Sequence, residues 1–132
     1  MSELTMLGKT IHGEDSPDKA VLEVFPNKYK RNYLITFEAF EFTSMCPVTG
    51  QPDFATIEIS YVPDEQCAES KSLKLYFQSF RNVGMFHEEI VNRILDDFVR
   101  FVKPKQVLVK GVMNARGGVG ITVEASFPDQ EL

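Results

Sequence analysis

The sequence predicts an α+β fold: an antiparallel sheet built in the order β-β-α-α-β-β, with two helices laid on one face. Three observations predict it. Ala55, Ile57, Ile59 and Tyr61 alternate with Thr56, Glu58 and Ser60, the period of a half-buried strand. Phe86, Ile90, Ile94 and Phe98 recur every four residues, the stripe of an amphipathic helix. Arg116-Gly117-Gly118 separates two further apolar runs, as a hairpin turn does. Helices grouped between pairs of strands favour a layered α+β arrangement.

In chain order, residues 1–30 are polar and broken by His12, Gly13, Pro17 and Pro26, an extended arm with room for one short strand. The first long strand is expected from Tyr33 to Phe42. There Tyr33, Ile35, Phe37 and Ala39 alternate, and Phe40 and Phe42 then take the opposite parity, the mark of a bulge. A loop with Pro47, Gly50 and Pro52 covers Thr43 to Asp53, and the clean strand around Ile57 follows until Pro63-Asp64. Ser70 is suited to cap a helix reaching Arg81, with Leu73, Phe77 and Phe80 on one face, and Asn82 and Gly84 break it. The second helix spans Phe86 to Val102, with Glu89, Arg93, Asp96 and Arg100 toward water, and Lys103-Pro104 stops it. Strands at Gln106–Met113 and Gly120–Phe127 complete the sheet. Its open edges predict pairing with further copies into a ring or barrel.

The 132 residues suit a single domain, 1–132, with one core. Fourteen Lys and Arg against nineteen Asp and Glu give a net charge of -5, which argues against coating nucleic acid but leaves room for a local anion pocket. The first residues lack a cationic start followed by an apolar run, and no stretch has the length of a membrane span. Cys46 and Cys67 therefore read as free thiols in a reducing, cytoplasmic setting.

Cys46 lies in a Pro- and Gly-rich loop between strands, where a scaffold holds a thiol within reach of a ligand. The alternative is a small buried hydrophobe, a common fate of free cysteine. Asp53 closes the same loop and is either a proton donor beside the thiol or a strand-end carboxylate bonding nearby amides. His87-Glu88 opens the second helix: it is either favourable helix-start charge or a clamp on a ligand with N–H donors. Glu69-Ser70-Lys71-Ser72-Leu73-Lys74 is either a capped helix start with solvated lysines or an anion site, and Arg116 either a turn residue or a phosphate contact. There is no G-x-G-x-x-G after a strand, no Walker A loop, no G-x-S-x-G elbow and no zinc-type spacing of Cys and His.

Taken together, these segments carry a resemblance. Glu69-Ser70-Lys71-Ser72-Leu73-Lys74-Leu75-Tyr76-Phe77 resembles the signature of the NADPH-dependent 7-cyano-7-deazaguanine reductases, the QueF family. Cys46-Pro47-x-Thr49-Gly50-Gln51-Pro52-Asp53, Ser79-Phe80-Arg81-Asn82, Phe86-His87-Glu88 and Arg116-Gly117-Gly118 match it in order and spacing, from about Tyr33 to Ala125. The length matches the family's short single-domain form, and the tail after Ala125 is short.

The resemblance implies the tunnelling fold, related to GTP cyclohydrolase, and two stacked pentamers with sites at subunit interfaces. It also implies reduction of a nitrile to a primary amine with two NADPH, on the route to the tRNA base queuosine. It assigns Cys46 as nucleophile and Asp53 as proton donor. His87, Glu88, Glu69, Ser70 and the backbone of Ala68 are implied as contacts to the deazaguanine. Lys71, Lys74 and Arg116 are cations suited to NADPH phosphates, and Cys67 matches no catalytic position. The expected substrate is the free base, with no metal and no direct nucleic-acid or membrane partner. Two rival readings are a zinc-dependent pterin-type cyclohydrolase, whose ligands this chain lacks, and a non-catalytic purine-binding module, which would need Glu88 but not the Cys46–Asp53 pair.

Overall fold

A computed structural model of the chain describes residues 15–132. His12 and the first half of the expected arm lie outside the described residues. Six elements build the main body: β2 (Ile35–Met45), β3 (Pro52–Val62), α1 (Ser70–Gln78), α2 (His87–Val102), β5 (Gln106–Arg116) and β6 (Val119–Phe127). Two three-residue strands, β1 (Val24–Pro26) and β4 (Gln66–Ala68), pair antiparallel as a separate ribbon. The main sheet is antiparallel throughout, in the order β2-β3-β5-β6, so β2 and β6 are its edges. This is the expected α+β arrangement.

The alternation on β3 turns Ala55, Ile57, Ile59 and Tyr61 inward, and all four are buried. Val107 and Val109 continue that face on β5, while Ile90, Val91, Ile94, Phe98 and Val102 of α2 close over it. α2 rests on β5 and β6, and α1 lies along β2. Gly111 lets α2 approach the sheet: a Cβ there would lie 2.7 Å from Val91 Cγ2. One buried carboxylate ties the helices together. Asp97 accepts hydrogen bonds from Tyr76 Oη at 2.7 Å, Arg93 Nε at 2.8 Å and Arg100 Nη2 at 3.2 Å. Arg93 also reaches Asp18 at 2.7 Å, fastening the segment before β1 to α2. Burial, and then the neighbouring Asp97, hold the Tyr76 phenol above its ordinary range.

The parity switch in the first strand is a bulge. Ala39 pairs with Ile57 but Phe42 pairs with Ala55, so β2 carries one extra residue across Phe40 and Glu41. Several boundaries differ from the sequence expectation. β2 starts at Ile35 rather than Tyr33 and runs past Phe42 to Met45, because pairing with Pro52, Asp53 and Phe54 continues beyond the bulge. The loop thus shrinks to residues 46–51, and Asp53 is the second residue of β3. Glu69, not Ser70, caps α1. Its carboxylate accepts from Lys71 N at 2.8 Å and Ser72 N at 2.7 Å, satisfying two of the helix's open donors, an arrangement worth about 1 kcal/mol. α1 stops at Gln78 rather than Arg81, and tight turns carry the chain onward. Phe86 is the cap residue of α2 and is exposed, so the apolar stripe begins at Ile90. Arg93 and Arg100 bend toward Asp97 instead of standing free in water. β5 extends to Arg116, with a second bulge before a two-residue turn. That turn places Gly117 and Gly118 at φ of 59° and 79°, the positive values a tight hairpin of this type requires.

Candidate active site

The Cys46 loop is fixed at both ends. Cys46 N–H donates to Gln51 O at 2.8 Å and Gly50 N–H to Cys46 O at 2.9 Å, while Gly50 takes a positive φ of 71°. Behind it, Met45 N–H donates to Val83 O at 3.0 Å and Met85 N–H to Met45 O at 3.2 Å. This pins the loop to the segment between the helices. Gly84 permits the contact, since a Cβ there would sit 3.3 Å from Pro47 Cα. The thiol of Cys46 is partly exposed. Hydrogen bonding from the Thr49 hydroxyl, then from the backbone N–H groups of Thr49 and Val48, holds it below its ordinary pKa; partial desolvation and the charge of Asp53 oppose that pull. A thiol poised this way is a better nucleophile near neutral pH.

Asp53 points inward from β3, directly across from buried Ser44 of β2. Its Oδ1 lies 3.0 Å from Arg116 Nε and its Oδ2 lies 3.5 Å from His87 Nε2. Arg116 comes from the end of β5, and its guanidinium also donates to Gln51 Oε1 at 3.3 Å and to the carbonyl of Pro52. His87 is the first residue of α2. Four elements thus place a thiol, a carboxylate, an imidazole and a guanidinium around one opening. The arrangement supplies a nucleophile, a group that moves protons and a cation that orients it. Glu88 stands on the same first turn of α2 with its side chain in solvent.

The other residues expected at the site lie elsewhere in the chain. Ala68 N–H donates to Tyr61 Oη at 3.0 Å, and Tyr61 lies eight residues along β3 from Asp53. Eight residues of extended strand span about 26 Å, so Ala68, Glu69 and Ser70 occupy the opposite end of the sheet. Both carboxylate oxygens of Glu69 are engaged in capping, and Ser70 is exposed. Ala68, Glu69 and Ser70 line an open cleft of about 570 Å³ together with Phe25, Ile35, Phe37, Tyr61 and Cys67. Lys74 opens on a second cleft of about 520 Å³ between α1 and β2, and Lys71 is half-buried on the first turn of α1. Among the described residues, no group of three His, Cys, Asp or Glu side chains could hold a metal, and no helix is long and apolar enough to cross a membrane.

Two contributions escaped the sequence reading. The first is the Thr49 hydroxyl, for which a Thr three residues after the Cys in a turn was the available signal. The second is the grip of Arg116 on Asp53, which joins residues 63 positions apart and left no local signal.

Comparison with known proteins agrees with this geometry. A family model described as QueF-like protein matches residues 52–131. A relative from Syntrophus aciditrophicus is 49% identical over 128 residues, covering 96% of this chain and 88% of its own. One from Chlorobaculum tepidum is 53% identical over 111 residues, covering 83% and 95%. One from Bacillus subtilis is 55% identical over 109 residues, covering 82% and 65%. All three are named NADPH-dependent 7-cyano-7-deazaguanine reductase. The crystal structure of the archaeosine synthase QueF-Like in the apo form superposes with a TM-score of 0.67 at 24% identity, over 70% of this chain and 91% of that one, and shares the fold. On the family match and on the identity shared along nearly its full length, the chain belongs to the QueF-like family.

Proposed function

We propose that this protein is an NADPH-dependent oxidoreductase that converts the nitrile of 7-cyano-7-deazaguanine to the aminomethyl group. The product would serve the route to the modified tRNA base queuosine. The observation that carries the reading is the Cys46 thiol, acidified by Thr49, opening beside an Asp53 carboxylate held between Arg116 and His87.

The Cys46 thiolate adds to the electrophilic nitrile carbon, and the nitrogen takes a proton delivered through Asp53, giving a thioimide. NADPH supplies hydride to that carbon. Expulsion of the thiolate leaves an imine, and a second hydride with a second proton completes the amine. The balance is one nitrile, two hydrides and two protons to one aminomethyl group. Arg116 fixes the direction of the Asp53 carboxylate, and His87 stands where it can return the proton. Glu88 pairs with ring N–H donors of the base. Lys71 and Lys74, on the first turns of α1, are suited to cofactor phosphates.

Because Ala68, Glu69 and Ser70 lie about 26 Å along β3 from Asp53, we place the complete site between two copies. One copy brings Cys46, Asp53, His87 and Glu88; its neighbour brings the Ala68–Ser70 cleft. The unpaired edges β2 and β6 favour closure of several copies into a ring, two stacked pentamers in our reading. We treat 1–132 as one domain, and the free thiols Cys46 and Cys67 fit a reducing cytoplasm. The test is NADPH oxidation on mixing the protein with 7-cyano-7-deazaguanine. Two NADPH consumed per aminomethyl product, identified by mass, is expected. Cys46→Ala should abolish turnover while the circular dichroism spectrum is unchanged. No oxidation by a folded wild-type sample would overturn the reading.

A further inference from the structure

Four of the chain's fourteen Lys and Arg residues gather at one place on an otherwise acidic protein. Lys28, Lys30 and Arg31 sit in the segment between β1 and β2, and Lys105 joins them by donating to Asn32 Oδ1 at 2.7 Å. All four are exposed. Among the described residues, none lies within ion-pairing distance of a carboxylate. Asp64 and Glu65 approach this segment through their backbone carbonyls, which accept from Asn27 Nδ2 and Asn27 N at 2.9 Å each.

The segment is built rather than loose. Asn27 Oδ1 accepts from Tyr29 N at 3.1 Å and from Tyr33 Oη at 2.6 Å, closing the loop on itself. Tyr29 and Tyr33 meet edge to face at 6.4 Å, and the Arg31 guanidinium lies 5.7 Å from the Tyr29 ring centre, an aromatic support that orients the cation. Clustering like charges in a fixed loop costs stability unless an anion offsets it.

The position of this loop decides which anion. Phe25 and Ile35, which bracket residues 27–33, both line the cleft that holds Ala68, Glu69 and Ser70. Tyr33 Oη also lies 3.8 Å from Cys67 Sγ, another wall of that cleft. The cationic loop is therefore the rim of the proposed substrate cleft.

We propose that the 27–33 loop, through Lys28, Lys30, Arg31 and Lys105, binds the phosphorylated adenosine end of NADPH while the nicotinamide enters the cleft. This rests on the functional reading above and adds a phosphate site outside Lys71, Lys74 and Arg116. The test replaces Lys28, Lys30 and Arg31 together by Ala, all exposed, and follows NADPH binding by fluorescence titration, which needs no turnover. The dissociation constant for NADPH should rise about tenfold or more, and competition by 2′,5′-ADP should weaken in parallel. At saturating NADPH, kcat and the KM for the base should stay at wild-type values. A loss confined to NADPH would assign the loop to the 2′-phosphate; an equal loss for NADH would assign it to the diphosphate. Wild-type NADPH affinity in the triple variant would overturn the proposal. So would a changed sedimentation coefficient with unchanged affinity, which would give the loop to contacts between copies. Should the wild type bind NADPH through this loop yet leave the nitrile unreduced, the functional reading fails and the phosphate site stands.

Discussion

At one end of β3 the polar side chains hold one another; at the other end they hold the backbone. Around Asp53, carboxylate, guanidinium and imidazole are mutually engaged, and the thiol is the group left open. Around Tyr61, the Tyr61 hydroxyl and the Glu69 carboxylate accept from main-chain N–H groups, as does the nearby Ser72 hydroxyl, which takes the Glu23 N–H at 2.9 Å. What remains open there is a cleft with a cationic rim. The first end is equipped to make and break bonds and the second to hold a ligand in place. A copy carries one of each, too far apart to serve the same molecule.

The sharpest way to break this comparison is to mix two inactive variants. Cys46→Ala removes the chemistry of one end, and Ser70→Trp blocks the cleft at the other. Co-assembled in equal amounts, they should recover about one quarter of wild-type activity, since a random ring pairs two intact halves at that frequency. Mixed oligomers with no recovery would mean that a single chain supplies both halves.

A smaller effect tests the division of labour within the first end. Asp53→Asn should lower kcat about 10²- to 10³-fold, the usual worth of a positioned acid, while the KM for the base changes little. A loss carried by KM would move Asp53 from proton transfer to binding. The smallest effect concerns the thiol. The Thr49 hydroxyl donates to the charged thiolate, so Thr49→Val should raise the Cys46 pKa. The pH midpoint of iodoacetamide alkylation should move upward and the rate at neutral pH fall. An unmoved midpoint would leave the backbone N–H groups of Val48 and Thr49 as the donors that matter.

Much of the architecture was legible because it is written in periods. The alternation of Ala55 to Tyr61 and the four-residue stripe from Ile90 to Phe98 set the faces of β3 and α2 before any contact was known. The parity change at Phe40 announced the bulge. Element ends were harder to read, because local composition competes with pairing partners. Pro52 looks like a loop residue, yet it opens β3 because Met45 pairs with it. Ser70 looks like a cap, but the carboxylate of Glu69 reaches the same amides. At the site, the Cys46 motif was readable as a segment. The bond from Arg116 to Asp53 was not, since it depends on how β5 lies beside β3.

The bulge has one more consequence. A strand is read two residues at a time, like a frame of two letters, and the extra residue at Phe40-Glu41 shifts that frame once. Downstream of it, Phe42 and Ser44 face the interior and the chain enters the Cys46 loop opposite Asp53. Removing one residue upstream of Met45 would put the rest of β2 out of frame, turning Thr43 and Met45 inward and carrying the loop away from the carboxylate. Removing two would restore the frame. Length changes in β2 should therefore be tolerated in even steps, with odd steps losing the active centre even where the sheet survives.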